Sequence, residues 1–412
     1  MKNKEMKSQN ISEVRVVTFD LDNTIWKTGA VISSANDALA EYLDSKGIFY
    51  ENENRVEKVM GKIFQKDKGK YCPVLAEDIR NGIGEEYSWD NVKAPVLLTQ
   101  LRIDAVMEIL RNQTTEFEDE LEDFAKEAFQ VWTNARHAAI PSNLASSVLE
   151  SLKRIRQLKT KDGKDVVVGA VTDGNSNPLK IDLLKEYFDF VVNAEIVGIS
   201  KPDRRIYDAA ISHVASNPKL KHVFNGCDTN NVDALMDMNL DWWVHIGDDF
   251  VKDIVASKDL RMRSIWCREL IMDKLAKEET KPEPKTNLEE FRKTVADQKM
   301  LTMSIGTDDY LTTTLHNEFA DAIVDDFCNV AAVVLSWHEE GTQLASTQNI
   351  VNETDLPDYF SIVTPDDKPV NESAPEAKIG GRDEKANSKF CVECGENLPR
   401  AAKVRYVNLC FY

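Results

Sequence analysis

Val14-Arg-Val-Val-Thr-Phe19, followed directly by Asp20-Leu-Asp22-Asn-Thr24, decides how this chain is read. The β-branched and aromatic run suits a buried parallel strand, because such strands are covered on both faces and lose the polar alternation of an exposed sheet. The turn behind it sets two carboxylates two residues apart at the strand's C-terminal end. In an open parallel sheet, that is the end where ligands bind.

Downstream, residues 33–46 read as a helix, and residues 101–137 carry apolar positions at helical spacing: Ile103, Val106, Ile109, Leu110, then Leu121, Phe124, Ala128, Phe129 and Trp132. The pattern predicts a helical insert after the first strand. An alternating rhythm then returns. A helix near 143–158 precedes a strand run from Asp165 to Thr172, and Asp173-Gly174-Asn175 leads to a helix expected at 177–186. Phe188–Val192 reads as a strand, Lys201-Pro202 as a loop, Arg205–Val214 as a helix and Trp242–Ile246 as a strand broken by Gly247-Asp248-Asp249. A helix at 250–257, a strand at 261–266 and a last strand and helix at 320–337 complete the series. Repeated strand, loop and helix segments predict an α/β fold with a parallel sheet covered on both faces.

The 412 residues allow one large domain or two to three ordinary ones. An apolar fraction of 42% excludes a wholly disordered chain, and a net charge of -19 opposes adhesion to nucleic-acid polymers or anionic membranes. One local basic site remains compatible with phosphate binding. No stretch reaches the length of apolar sequence that a membrane span needs, and the opening MKNKEMKSQN is polar, so a cytoplasmic chain is expected. Seven cysteines, an odd and sparse set in so long a chain, predict reduced thiols rather than a disulfide framework.

Four strand ends carry polar groups: Asp20 and Asp22, Thr172 with Asp173, Lys201 in the following loop, and Asp248 with Asp253. Taken singly, each has a bland explanation, since Asp-x-Asp at a strand end is commonly a turn or helix cap and a lysine before proline is commonly solvated. Together they suit a phosphate ester. A carboxylate can attack phosphorus, an adjacent acid can protonate the departing alkoxide, a lysine and a hydroxyl can hold phosphoryl oxygens, and further acids can hold Mg2+.

Asp20-x-Asp22-x-Thr24, Thr172 in Val-Thr-Asp-Gly-Asn, Lys201-Pro202 and Gly247-Asp248-Asp249-x-x-x-Asp253 occur in the order of the four motifs of the haloacid dehalogenase-like hydrolase superfamily, which the chain resembles over about residues 13–337, interrupted by the segments around 215–240 and 270–317. The resemblance implies a Rossmann-like core made of residues 13–30, 141–269 and 318–340, with an α-helical cap of the first insertion type at 31–140. It implies Asp20 as nucleophile of an aspartyl-phosphate route and Asp22 as general acid and then base. Thr172, Asp173 and Lys201 would form the phosphate site, with Mg2+ held by Asp20, the Asp22 carbonyl and Asp248, Asp253 in support and Asp249 as a lesser candidate. Asp22 also points to the phosphatases, because the superfamily's dehalogenases do not use a second aspartate in this pattern. Asp228 and Asp233 offer a rival acidic pair five residues apart; the strong strand and the glycine before Asp248 favour the Asp248 and Asp253 pair.

A cap of this kind implies a small phosphorylated metabolite as substrate, whether nucleotide, sugar phosphate or flavin-pathway intermediate. Trp26 and Lys27, just beyond the acids, are candidate edge contacts, with a hinge or packing role as the equal alternative. The alternatives are a phosphotransferase or phosphomutase, and a degenerate regulatory or scaffold protein that binds a protein partner through its C-terminal tail. Residues 270–317 read as a surface insertion and 341–389 as a polar linker. In the tail, Cys391-x-x-Cys394 has the spacing of a zinc knuckle and Cys410 offers a third thiolate, so 390–412 resembles an incomplete zinc ribbon binding a structural Zn2+; free thiols are the other reading.

Overall fold

The computed structural model describes residues 12–48, 55–83, 89, 92, 94–113, 118–225, 227, 229, 235, 238–271 and 319–348. Six parallel strands form one sheet: β1 (Val16–Phe19), β2 (Val167–Thr172), β3 (Phe190–Asn193), β4 (Trp243–Gly247), β5 (Arg263–Cys267) and β6 (Ala322–Val324). Their order is β3-β2-β1-β4-β5-β6, with every neighbouring pair parallel. The α/β fold with a covered parallel sheet is the one the alternating pattern predicts. Strand order reverses between β1 and β4, which creates the crevice at which such sheets bind ligands.

Alternate residues of each strand enter opposite cores. Val17, Phe19 and Val168 pack toward α7 (Val148–Arg156) and α11 (Cys328–Gln348), against Leu152, Ile155, Val330 and Val334. Val16, Val167 and Val171 pack toward α9 (Arg204–Ser216), against Ile206, Tyr207, Ala210 and Val214. Both faces are thus dry, and this explains why the strands read as uninterrupted apolar runs.

Between β1 and α7 the chain forms α1 (Thr28–Ser45), α2 (Val56–Lys66), α3 (Lys68–Tyr71), α4 (Pro73–Asn81), α5 (Leu98–Arg111) and α6 (Glu118–Ala139). Ala35, Leu39 and Leu43 recur every fourth residue on α1 and meet Leu121, Ala125, Ala128 and Trp132 of α6, giving the helical insert its own core. Among the described residues, no helix is long and apolar enough to cross a membrane.

Four local expectations change. The helix expected at 177–186 is one short turn, Pro178–Lys180, followed by irregular turns. Pro178 supplies no amide hydrogen, the Asn177 side chain accepts from the Leu179 amide (2.9 Å), and only Ile181 and Leu184 reach the core while Leu179 and Leu183 stay exposed. The helix expected at 250–257 opens as a wide π turn, Phe250–Val255, before α10 (Ala256–Asp259). The last strand is only Ala322–Val324, because Asp326 turns the chain by accepting from the Cys328 amide (2.9 Å). Finally α11 runs on to Gln348, so the segment expected to be linker from residue 341 begins inside a helix. The short helix α8 (Ala194–Val197) completes the element set.

Candidate active site

Register sets the site. Phe19 pairs with Ala170 on one side and Ile246 on the other, and the Asp20 amide donates to the Ile246 carbonyl (2.8 Å). Asp20 and Gly247-Asp248 therefore leave the sheet side by side, with Thr172 at the end of β2. One carboxylate oxygen from each of Asp20, Asp248 and Asp253 lies within 4.8 Å of the others, and among the described residues this is the one group of histidines, cysteines and acids that could hold a metal ion.

Lys201 is inserted into this cluster. Its Nζ donates to Asp20 Oδ1 (2.7 Å), Asp253 Oδ1 (2.6 Å) and the Val171 carbonyl (3.2 Å). The loop that delivers it is held by Asp173, whose Oδ1 accepts from the Lys201 amide (2.8 Å) and whose Oδ2 accepts from Lys252 Nζ (3.1 Å). The Asp173 carboxylate thus shapes the lysine loop, which differs from the phosphate contact that the resemblance implied: a carboxylate itself repels phosphoryl oxygens.

Asp253 is the most tightly held of the acids and is fully buried. Besides Lys201, its Oδ1 faces His245 Nε2 (3.3 Å), and its Oδ2 accepts from the Asp249 amide (3.0 Å). The Asp253 amide donates back to the Asp249 carbonyl (2.9 Å), closing the first turn after β4. Gly247 is required alongside, since a Cβ there would lie 2.2 Å from the Asp253 carboxyl. On the far side of His245, Nδ1 lies 3.0 Å from Thr18 Oγ1, which accepts from Trp243 Nε1 (2.9 Å). A neutral imidazole that donates from Nε2 to the carboxylate accepts from the threonine at Nδ1. Asp248 is oriented separately: Thr24 Oγ1 donates to its Oδ1 (3.2 Å) and Trp266 Nε1 to its carbonyl (2.8 Å).

The electrostatics show a site short of positive charge. Burial raises the Asp20 carboxyl, Lys201 pulls it back, and Asp253 and Asp22 push it up again, to about 7. Burial with Asp20, Asp253 and Asp249 holds Asp248 well above the usual carboxylate range. Asp253 goes the other way: burial opposes it, but Lys201 and His245 hold it ionised. Burial keeps His245 below its ordinary value, hence neutral, and the surrounding acids hold Lys201 well above its own despite burial. Oxygen donors with one lysine among them suit a hard divalent cation, which would supply the charge that keeps Asp20 and Asp248 ionised.

Asp22 stands at the edge of this cluster. Its Oδ1 accepts from Trp26 Nε1 (3.1 Å) and Thr28 Oγ1 (2.9 Å), and Arg136 Nη2 lies 3.6 Å away. Trp26 is fully buried and supports Asp22, which is the packing role of the two readings and not the edge contact; Lys27 is tied by its amide to the Asn143 carbonyl (2.8 Å). Thr172 is also fully buried, its Oγ1 accepting from the Gly174 amide (3.2 Å).

Asp228, Asp233, Cys391, Cys394 and Cys410 lie outside the described residues, as do most of the 270–317 segment and all of the 390–412 segment. Motif reading missed His245, Arg136 and Lys252. His245 had a visible signal, a polar residue inside the apolar run Trp242–Ile246. Arg136 had none, because an arginine on a charged helix reads as solvated.

An all-parallel sheet whose switch point gathers three aspartates around a buried lysine defines an aspartate-centred α/β site. The chain belongs to the haloacid dehalogenase-like hydrolase family, whose profile matches residues 14–223. It is 26% identical over 162 residues to a haloacid dehalogenase-like hydrolase domain-containing protein 3 of Xenopus laevis, covering 39% of this chain and 54% of the relative. It is 36% identical over 76 residues to the pyrimidine 5'-nucleotidase YjjG of Escherichia coli K12, covering 18% of this chain and 33% of the relative. The chain therefore spans about half and a third of these two relatives. Among solved structures, a 2-haloacid dehalogenase from Pseudomonas syringae pv. Tomato DC3000 aligns at a TM-score of 0.49 and 19% identity, covering 79% of this chain and 99% of that one.

Proposed function

We propose that this chain is a Mg2+-dependent phosphatase that hydrolyses a small phosphomonoester through an aspartyl-phosphate at Asp20. The observation that carries the reading is Lys201 Nζ held between Asp20 and Asp253 beside Asp248, at the switch point of the sheet. In this reading Asp20 attacks phosphorus as the bond to the leaving oxygen breaks. Asp22 gives its proton to that oxygen, then takes one from the water that hydrolyses the acyl phosphate. Lys201 and the Thr172 hydroxyl hold phosphoryl oxygens, and Asp173 and Lys252 fix the loop bearing Lys201. Asp20, the Asp22 carbonyl and Asp248 would hold Mg2+, with Asp253 as the buried support of Lys201. Bound there, the ion neutralises charge gathering on the phosphoryl oxygens.

Residues 13–30, 141–269 and 318–340 serve as the catalytic core and 31–140 as the cap. α5 and α6 bring Thr99 to Asn175 and Arg136 to Asp22, and a cap over the acids favours a small metabolite over a protein as substrate. Nucleotides head the substrate panel, supported by the relative named as a pyrimidine 5'-nucleotidase, followed by sugar phosphates and flavin-pathway phosphates. The test is phosphate release from that panel with and without Mg2+, using Asp20→Asn as control. Release that needs both supports the reading; release by Asp20→Asn at the wild-type rate overturns it.

A further inference from the structure

Arg136 sits in the last turn of α6 and is 3% exposed. Its Nη1 donates to Asn175 Oδ1, in the loop after β2, and its Nη2 approaches Asp22 Oδ1 at the ion-pair distance of 3.6 Å. The Nε is buried and, among the described residues, has no hydrogen-bond partner. The guanidinium lies over the Trp132 ring (5.3 Å to the centroid), and Trp132 Nε1 donates to Asn36 Oδ1 in α1 (2.7 Å). Both long helices of the insert thus brace one cation against Asp22.

The two oxygens of Asp22 are not equivalent. Trp26, Thr28 and Arg136 all address Oδ1. Oδ2 faces Gly174 so closely that a Cβ on that residue would lie 2.1 Å from it, and among the described residues no hydrogen bond to Oδ2 is made. From Asn175 the chain of bonds crosses twice more between insert and core: Asn175 Nδ2 donates to Thr99 Oγ1 (3.0 Å), and Thr99 donates through its hydroxyl and its amide to Glu195 of α8 (2.7 Å each).

We propose that Arg136 is a positioning residue delivered by the cap, holding Asp22 by Oδ1 so that Oδ2 is the oxygen that carries the proton. This rests on the reading of Asp22 as general acid and base. In the first step the Oδ2 proton passes to the leaving oxygen while the electron pair of the broken P–O bond stays on that oxygen. In the second, Oδ2 accepts a proton from the attacking water. Because Arg136 reaches Asp22 from α6 and is fastened through Asn175, Thr99 and Glu195, the acid is set only with the cap seated on the core.

Leaving-group dependence tests this. A p-nitrophenyl ester departs without a proton, whereas an alkyl ester needs one, so loss of a positioned acid is felt on the second alone. The experiment compares kcat and KM of wild type, Arg136→Met, Arg136→Lys and Asp22→Asn on p-nitrophenyl phosphate and on the alkyl phosphomonoester that wild type hydrolyses fastest. Arg136→Met is expected to lose about 10²-fold in kcat/KM, which reports formation of the aspartyl-phosphate, on the alkyl ester and less than about tenfold on the aryl ester, and Arg136→Lys to recover part of the loss. Asp22→Asn should show the same asymmetry more strongly. Equal losses on both esters in Arg136→Met, or no recovery in Arg136→Lys, would overturn the assignment while leaving the Asp22 asymmetry intact. No asymmetry in Asp22→Asn, or no wild-type turnover of either ester, overturns the underlying reading and this proposal with it. Should Arg136→Met not fold, as judged by its melting curve, Asn175→Ala takes its place, with a smaller asymmetry of the same sign expected and a symmetric loss contradicting the proposal.

Discussion

His245 Nε2 lies 3.3 Å from Asp253 Oδ1, and neither side chain has any exposure to solvent. With Thr18 and Trp243 behind the imidazole, this contact continues a buried line of polar groups through Lys201 to Asp20. Replacing His245 by Phe leaves one oxygen of Asp253 with Lys201 alone. A loss of about 10- to 100-fold in kcat is expected, with about 1–3 kcal/mol of stability. His245→Gln, which keeps a donor, should recover part of both. Steady-state kinetics and urea midpoints check this; wild-type values for His245→Phe would contradict it.

Lys201→Met removes the cation from among three acids. Breaking a buried ion pair costs about 3–5 kcal/mol, and kcat should fall by about 10³-fold. Without the lysine, Asp20 and Asp253 are both raised above their unfolded values by burial and mutual repulsion. A raised carboxyl contributes stability that is lost as pH rises through its folded value. The variant's deficit in melting temperature should therefore be larger at pH 8 than at pH 5, and a deficit independent of pH would contradict this account.

Metal binding and protonation compete for the same oxygens. Asp20, at about 7 in the metal-free protein, is raised, so its contribution to stability fades as pH climbs from the unfolded value of 3.8 through 7. His245 is lowered, so its contribution fades as pH falls through the unfolded value of 6.5, and it leaves the window above that unaffected. Mg2+ should accordingly raise the melting temperature more at pH 8 than at pH 5.5 and release protons on binding near pH 6.5. Calorimetry in two buffers of different ionisation enthalpy measures the release; zero release would contradict the placement of the metal on Asp20 and Asp248.

The choice between the two acidic pairs is testable directly. Asp248→Asn should increase the Mg2+ concentration needed for half-maximal activity by about 10-fold or more, and Asp228→Asn should leave it unchanged. The reverse pattern in a Mg2+ titration would move the metal site.

Gly174→Ala places a methyl group where Asp22 Oδ2 lies, 2.1 Å from the new carbon. Displacing the acid by about 1 Å is worth about 100-fold in rate, while Gly174 is only partly buried and the fold should tolerate the change. The expected result is a large loss of kcat with a small shift in melting temperature. Equal damage to both would make the glycine a folding requirement instead.

The sheet was readable because Val14–Phe19, Asp165–Thr172 and Trp242–Ile246 are apolar runs that end in polar residues, the pattern a doubly covered parallel sheet imposes. The clustering of Asp20, Lys201, Asp248 and Asp253 followed from the same rule, since all lie beyond the C-terminal ends of strands. What stayed hidden depends on direction rather than composition. Residues 177–186 contain enough leucine and isoleucine for a helix, yet only two of them turn inward around Pro178. For Trp26, sequence leaves edge contact and packing equally open, and only the bend after Asp22 places it under the acid. Arg136 is indistinguishable in sequence from the solvated charges of α6, and only the docking of that helix brings it to the site.

The most direct test of the central claim is acid quenching of the wild-type protein during turnover, followed by peptide mass mapping. A phosphoryl group on the peptide carrying Asp20, absent from Asp20→Asn and discharged by hydroxylamine, is the result this account predicts. Phosphate released in full with no phosphoryl group on that peptide, or with the group on a different side chain, would contradict it.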